Sequence, residues 1–229
     1  MVARRQVVAA LALALAASGA HAATVIANWT FESTQPISAG PFAAEIGTGT
    51  ALGHHATSST YSSPAGNGSA HSFSSTAWSV GDYYQFNVST LGLSGLSISW
   101  DQTSSNTGPK DFALQYSTDG TTFTNFRAYS VLANGTPNPA WNGTTASAAY
   151  SFSSDLSALS GLDNQTNLFF RLVDQDTAAA NGGTVASGGT DRVDNVKISA
   201  LSAVPLPAAV WLLGSGLLGL FGMRRRLGV

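Results

Sequence analysis

Leu96-Ser97-Ile98-Ser99-Trp100, followed by Phe112-Ala113-Leu114-Gln115-Tyr116 and then Asp119-Gly120, decides the fold class of this chain. The first stretch alternates apolar and small polar residues, which puts Leu96, Ile98 and Trp100 on one face of a strand and the serines on the other. Phe112 to Tyr116 alternates in the same way. Asp119-Gly120 separates it from a second β-prone run, Thr121 to Phe126, and Asp-Gly in that setting signals a hairpin because glycine tolerates positive φ. Working outward, Val25, Ala27, Trp29 and Phe31 share a face, as do Tyr84, Phe86 and Val88. Leu168 to Val173 and Val193 to Ala200 complete the clear strands. Gly, Ser, Thr, Asn and Pro dominate the connections, above all from Glu32 to Ser79 and at Asn134-Gly135 and Asn181-Gly182-Gly183. Between the two ends no stretch carries a helical period; Asp155 to Leu159 would make at most one turn. Many short strands separated by turn signals predict an all-β sandwich of jelly-roll type over residues 23–200, enough chain for one domain with its own core.

Both ends predict export. Arg4 and Arg5 precede an apolar run from Val7 to Ala17, and Ala20-His21-Ala22 has the A-x-A form of a cleavage site, so residues 1–22 read as a signal peptide for the Sec export machinery. From Val204 the chain opens Val-Pro-Leu-Pro and runs through about 20 uncharged, largely apolar residues in all to Arg224, Arg225 and Arg226. Residues 208–223 read as a transmembrane helix, with Pro207 suited to its first turn. The arginines mark the cytoplasmic side, which leaves everything before Val204 across the inner membrane.

The charge distribution supports this partition. Five of the ten basic residues lie in the two ends and all twelve acidic residues lie between them, so the middle carries a formal charge of −7. Nucleic-acid binding needs a basic footprint and is excluded by that balance. The chain has no cysteine, which removes thiol catalysis and cysteine zinc sites. The six Asn-x-Ser/Thr triplets are expected by chance in a chain this rich in those residues.

Val204, Pro205, Leu206 and Pro207, a glycine-punctuated apolar helix and the terminal Arg224, Arg225 and Arg226 closely resemble the PEP-CTERM sorting signal in its VPLPA variant, over residues 201–229. The resemblance implies recognition by an exosortase, at least transient inner-membrane anchoring, and delivery to the cell surface or extracellular space. A second resemblance joins the ends of the predicted sandwich. Asn28-Trp29-Thr30-Phe31-Glu32-Ser33 near the start and Asp191-Arg192-Val193-Asp194-Asn195-Val196-Lys197-Ile198 near the finish are similar to carbohydrate-binding-module jelly rolls of the galactose-binding-like type. That resemblance implies a structural Ca²⁺ held by Glu32 and Asp194. Parity with Val196 and Ile198 would turn Asp194 inward, and an inward carboxylate needs a partner. A cation would serve, as would Arg192, Arg171 or a backbone N–H.

Candidate catalysis is thin, and no catalytic residue is assigned. A glycosidase needs two carboxyl groups at a set separation. Glu32 and Glu45 are the only glutamates, and the nearest acidic pair is Asp174-Gln175-Asp176, which a solvated or calcium-binding loop would explain equally well. There is no G-x-S-x-G elbow. His54 and His55 would point to opposite faces of a strand and read as a surface loop pair. For a sugar ligand, Trp78, Tyr83 and Trp141 lie outside clean alternation and are the candidate exposed platforms, whereas Trp29 and Trp100 belong to the core. The expectation is an exported, non-catalytic surface or matrix protein that binds extracellular polysaccharide; the alternative is an exported polysaccharide-active hydrolase.

Overall fold

The computed structural model describes residues 21–203. Of the sequence readings, residues 1–20 of the signal peptide and the tail from Val204 onward, including Pro205, Leu206, Pro207, Arg224, Arg225, Arg226 and the helix at 208–223, lie outside the described residues. Within them the chain is all β: β1 (His21–Trp29), β2 (Phe42–Ala43), β3 (Ile46–Gly47), β4 (Thr50–His54), β5 (Tyr61–Ser62), β6 (Phe73–Ser75), β7 (Tyr83–Val88), β8 (Ser94–Ser104), β9 (Asp111–Ser117), β10 (Thr124–Ser130), β11 (Ser151–Asp155), β12 (Leu168–Asp174) and β13 (Asp191–Ala203). Two 3₁₀ turns, Ala148–Tyr150 and Ser160–Leu162, are the helical elements among the described residues.

The strands form two sheets, as expected for a jelly-roll sandwich. One has the order β11-β8-β13-β1-β3, with β6 also pairing with β13 and β5 with β6; the other has the order β10-β9-β12-β7-β4-β2. Residues 23–202 form one compact unit. Alternation sets the core. Leu96, Ile98 and Trp100 of β8, Tyr84, Phe86 and Val88 of β7, and Phe112 and Leu114 of β9 are all buried between the sheets with Ala27, Trp29 and Phe31. Each such large side chain contributes roughly 1.5–3 kcal/mol when fully buried. Val25, expected on the same face as Ala27, is 40% exposed, because it lies toward the outer end of β1.

Register shifts interrupt regular alternation in β10, between Asn125 and Arg127, and twice in β13, between Asp194 and Lys197 and between Ser199 and Leu201. The β9–β10 hairpin forms as expected, but its loop spans residues 118–123, longer than a two-residue turn, and β10 begins at Thr124. In β13 the register with β8 shifts between Asp194 and Lys197, where Asn195 has φ +50°. An extra residue in a strand reverses the parity of everything beyond it. Val193 and Val196 therefore both face the core, and Asp194 turns outward.

Candidate functional site

The outward face of the six-stranded sheet collects polar and aromatic side chains of the kind used in recognition. Because Tyr84, Phe86 and Val88 fill the core, Tyr83, Gln85 and Asn87 must point away from it. Register then aligns a row across five strands: Leu52, Gln85, Arg171, Gln115 and Asn125. Rows on either side read His54, Tyr83, Val173, Ala113, Ala128 and Thr50, Asn87, Phe169, Ser117. Arg171 is the one Asp, Glu, Lys or Arg in these three rows.

Its guanidinium carbon lies 3.9 Å from the Tyr83 ring centre and 3.5 Å from that of Phe123. Nε donates to Gln85 Oε1 at 2.8 Å, which fixes the rotation of the fork. On the far side of Tyr83, the His54 ring stacks at 4.7 Å and 20°. The four groups thus form a continuous stack, His54–Tyr83–Arg171–Phe123, standing on the sheet. Cation–π contacts contribute ~0.5–2 kcal/mol each, more as the cation loses water. That loss of water also draws the Arg171 pKa below its ordinary value, with Tyr83 opposing. Phe123 reaches the stack because the 118–123 loop folds back. Asp119 Oδ1 accepts from the Thr121 and Thr122 amides at 2.8 Å each, and Gly120, at φ +74°, packs against the Phe169 ring.

The three proposed platforms fare differently. Trp78 is 5% exposed, with Nε1 donating to Ser75 O at 3.0 Å, and its ring meets His55, Tyr84 and Phe112. Trp141 is 8% exposed, with Nε1 donating to Ala65 O at 2.7 Å, against Tyr150. Both are corrected to packing residues: each indole N–H finds a carbonyl, so the loops close over the ring. Tyr83 is on the outward face, but both of its ring faces are already taken. What the stack presents outward is ring edges and hydrogen-bonding groups.

Glu32 and Asp194 are brought to the same loop, residues 66–71. Glu32, exposed beyond the end of β1, accepts from Ala70 N at 3.2 Å and His71 N at 2.8 Å. Asp194 Oδ2 accepts from Asn67 N at 2.9 Å, Ser69 Oγ at 2.6 Å and Asn195 Nδ2 at 3.1 Å, and Oδ1 from Asn195 N at 2.7 Å. Asp194 is fully buried, yet on the outer side of its sheet beneath this loop; its expected inward parity is corrected by the Asn195 bulge. Burial pushes its carboxyl up to about 7, against the pull of the Ser69, Asn67 and Asn195 donors. The donors around both carboxylates are N–H and O–H groups, the surroundings of a loop clamp. Calcium needs several oxygen ligands at ~2.3–2.6 Å, so this set does not fit it as arranged. Among the described residues no cluster of three His, Asp or Glu side chains is placed to hold a metal. Arg171 and Arg192 are not partners of Asp194.

Asp174 and Asp176 lie near enough to repel but have different surroundings. Asp174 is 1% exposed and neither carboxyl oxygen has a hydrogen-bond partner, whereas exposed Asp176 accepts from Ala178 N at 2.7 Å. Burial first, then the nearby charges of Asp176 and Asp82, push Asp174 up to about 7, opposed by the Asp176 and Gln175 backbone N–H groups, which approach it without reaching hydrogen-bond geometry. His55, expected at the surface, is instead buried: Nδ1 meets Asp82 Oδ2 at 2.9 Å and Nε2 meets Ser75 Oγ at 3.0 Å. Asp-His-Ser is the order of a nucleophilic triad. Here Ser75 is fully buried and its hydroxyl also bonds Tyr84 OH at 2.9 Å, so a substrate has no approach to it.

Sequence reasoning reached Tyr83 and missed its neighbours. Parity opposite to Tyr84 and Phe86 would have marked Gln85 as outward; Phe123 carried no local signal, because a loop folding back is a tertiary event.

No protein-family model matches this chain, and no curated protein does. Solved structures give likeness of strand architecture. The K3 cleaved adhesin domain of Lys-gingipain from Porphyromonas gingivalis is 15% identical, with 76% of this chain and 98% of that chain covered and a TM-score of 0.44. The CBM22-1–GH10 modules of a Clostridium thermocellum endo-1,4-β-D-xylanase, complexed with xylohexaose, give 14%, 80%, 30% and 0.45. A family 29 carbohydrate-binding module from Piromyces equi gives 10%, 82%, 97% and 0.40. At these identities and scores no site, ligand or activity is carried over from them.

Proposed function

We propose that this chain is an exported, non-catalytic cell-surface or matrix protein whose sandwich binds extracellular polysaccharide on the outward face of its six-stranded sheet. The observation that carries the reading is the His54–Tyr83–Arg171–Phe123 stack, which holds hydrogen-bonding groups in fixed positions beside the Gln85 and Gln115 amides. Preordered donors and acceptors on a rigid sheet lose little entropy on binding, as recognition of a hydroxyl-rich polymer requires. Delivery rests on the sequence of the ends: a signal peptide, and a PEP-CTERM-like tail read by an exosortase at the inner membrane. The hydrolase alternative would need a pair of carboxyl groups open to substrate, and in the Asp174–Asp176 pair Asp174 is buried.

Affinity electrophoresis of the purified full chain, in detergent, through gels containing xylan, galactan or polygalacturonate tests the binding reading. Retardation by at least one polymer, weakened by Tyr83→Ala, is expected. Free migration in every gel would refute it for these polymer classes, and retardation unaffected by Tyr83→Ala would move the site off this face.

A further inference from the structure

The proposed site leaves one group without a counterpart. Arg171 spends Nε on Gln85, and both faces of its guanidinium are covered by rings. Neither Nη nitrogen makes a hydrogen bond among the described residues, and no carboxylate lies within ion-pair distance of it there. Arg127, Arg192 and Lys197 likewise have no carboxylate within ion-pair distance among the described residues, but Arg171 differs from them in being held between two rings, at 3.9 and 3.5 Å, on this face.

Resting on the polysaccharide reading, we propose that Arg171 selects an acidic polysaccharide by taking the carboxylate of a uronic acid residue on its free Nη edge. The chemistry is set by what remains open. Rings block both faces and Gln85 holds one edge, so a ligand can approach only along the Nη–Nη edge. Two parallel N–H donors there match the two oxygens of a carboxylate, and such charge-assisted pairs are roughly twice as strong as neutral ones. A hydroxyl would satisfy one donor; a carboxylate satisfies both and supplies the missing charge. Gln85, Gln115 and Asn125, in the same row, are amides suited to the neighbouring hydroxyls. Lysine would not serve equally, since an ammonium lacks both the fork and the planar surface held between Tyr83 and Phe123. The overall negative charge of the segment is screened beyond ~8 Å at physiological salt, so it slows encounter with a polyanion without cancelling a pair at contact.

The test uses the full chain in detergent, with EDTA present so that calcium cannot bridge polymer and protein. The probes are polygalacturonate, the same polymer methyl-esterified, and neutral galactan. Polygalacturonate should bind at least about tenfold more tightly than its methyl ester. Arg171→Gln should remove that preference, and Arg171→Lys, which keeps the charge, should lose most of it. Folding of each variant is read independently from its tryptophan fluorescence. Equal affinity for the free and esterified polymers would overturn the inference without using any variant. If galactan binds through Tyr83 and polygalacturonate does not bind, the inference falls and the polysaccharide reading stands. If no probe binds, both fall for these polymers.

Discussion

Replacing Asp174 by asparagine should leave stability almost unchanged near pH 4 and raise it at pH 8. The Asp174 carboxyl is 1% exposed, has no hydrogen-bond partner on either oxygen, and is pushed by burial from an ordinary 3.8 up to about 7. A carboxyl that binds its proton more tightly in the folded state favours folding below its unfolded pKa, and that advantage is lost as pH rises to its folded value. For Asp174 the window runs from about pH 4 to about pH 7. Three units at 1.36 kcal/mol each give about 4 kcal/mol as a ceiling, and relaxation around the charge leaves roughly 2–4 kcal/mol. Asp194 and Asp191 shift in the same direction for the same leading reason, burial. For Asp191 the geometry agrees: Ser104 Oγ lies 2.6 Å from Pro109 O and 2.9 Å from Asp191 Oδ2. With one proton to give to Pro109, that hydroxyl suits a protonated Asp191 donating to it. His55, depressed by burial against the pull of Asp82, tilts the region below about pH 6.5 the other way. Denaturation of the full chain at pH 4, 6 and 8, followed by tryptophan fluorescence, separates these effects. The difference between Asp174→Asn and wild type should grow by roughly 2–4 kcal/mol from pH 4 to pH 8. A difference that stays constant with pH would refute the reasoning, because it would mean that Asp174 ionises normally in the folded protein.

Asp194→Ala removes the acceptor of Asn67 N, Ser69 Oγ and Asn195 N. Leaving such donors buried should cost roughly 3–5 kcal/mol, a fall in Tm of about 6–20 °C for a domain this size, measurable by thermal unfolding. Gly66→Ala should destabilise the same loop by about 1–3 kcal/mol or more, since a Cβ there would overlap Ser69 Oγ, Asp194 Oδ2 and His71 O; an unchanged Tm would show that the loop gives way freely. EDTA should leave Tm unchanged, because Glu32 and Asp194 are engaged by loop donors; a drop of several degrees, restored by calcium, would place a cation between them. At the tail, changing Arg224, Arg225 and Arg226 to glutamate should impair surface delivery, scored by protease accessibility on intact cells, and normal delivery would contradict the topology.

The fold was legible where a single period ruled. Tyr84, Phe86, Val88, Leu96, Ile98 and Trp100 alternate without interruption, and each is buried as its parity requires. Parity misled at Asp194 because the inserted Asn195, a residue that tolerates positive φ, resets the pattern, and nothing in Asp-Asn-Val distinguishes a bulge from a regular strand. Glu32, the first residue of the connection expected from Glu32 to Ser79 and of opposite parity to Phe31, does lie beyond the end of β1. Trp78 and Trp141 are covered by partners that local alternation does not reveal: Trp78 packs on His55, Tyr84 and Phe112. Trp141 is held by the carbonyl of Ala65, 76 residues away in sequence. The candidate site was the least legible part: Tyr83 comes from β7, Arg171 from β12 and Phe123 from the β9–β10 loop, and only strand order brings them together.

Hydroxyl-radical footprinting of the full chain with and without polygalacturonate tests the central claim most directly, because it reports where a polymer lies as well as whether it binds. Tyr83, Phe123 and Phe169 should lose reactivity together on adding the polymer, while Tyr61, outside the three rows of that face, keeps its own. Protection confined to the opposite sheet, around the polar cleft of about 320 Å³ between Asn28, Asp101 and Lys197, would contradict the account.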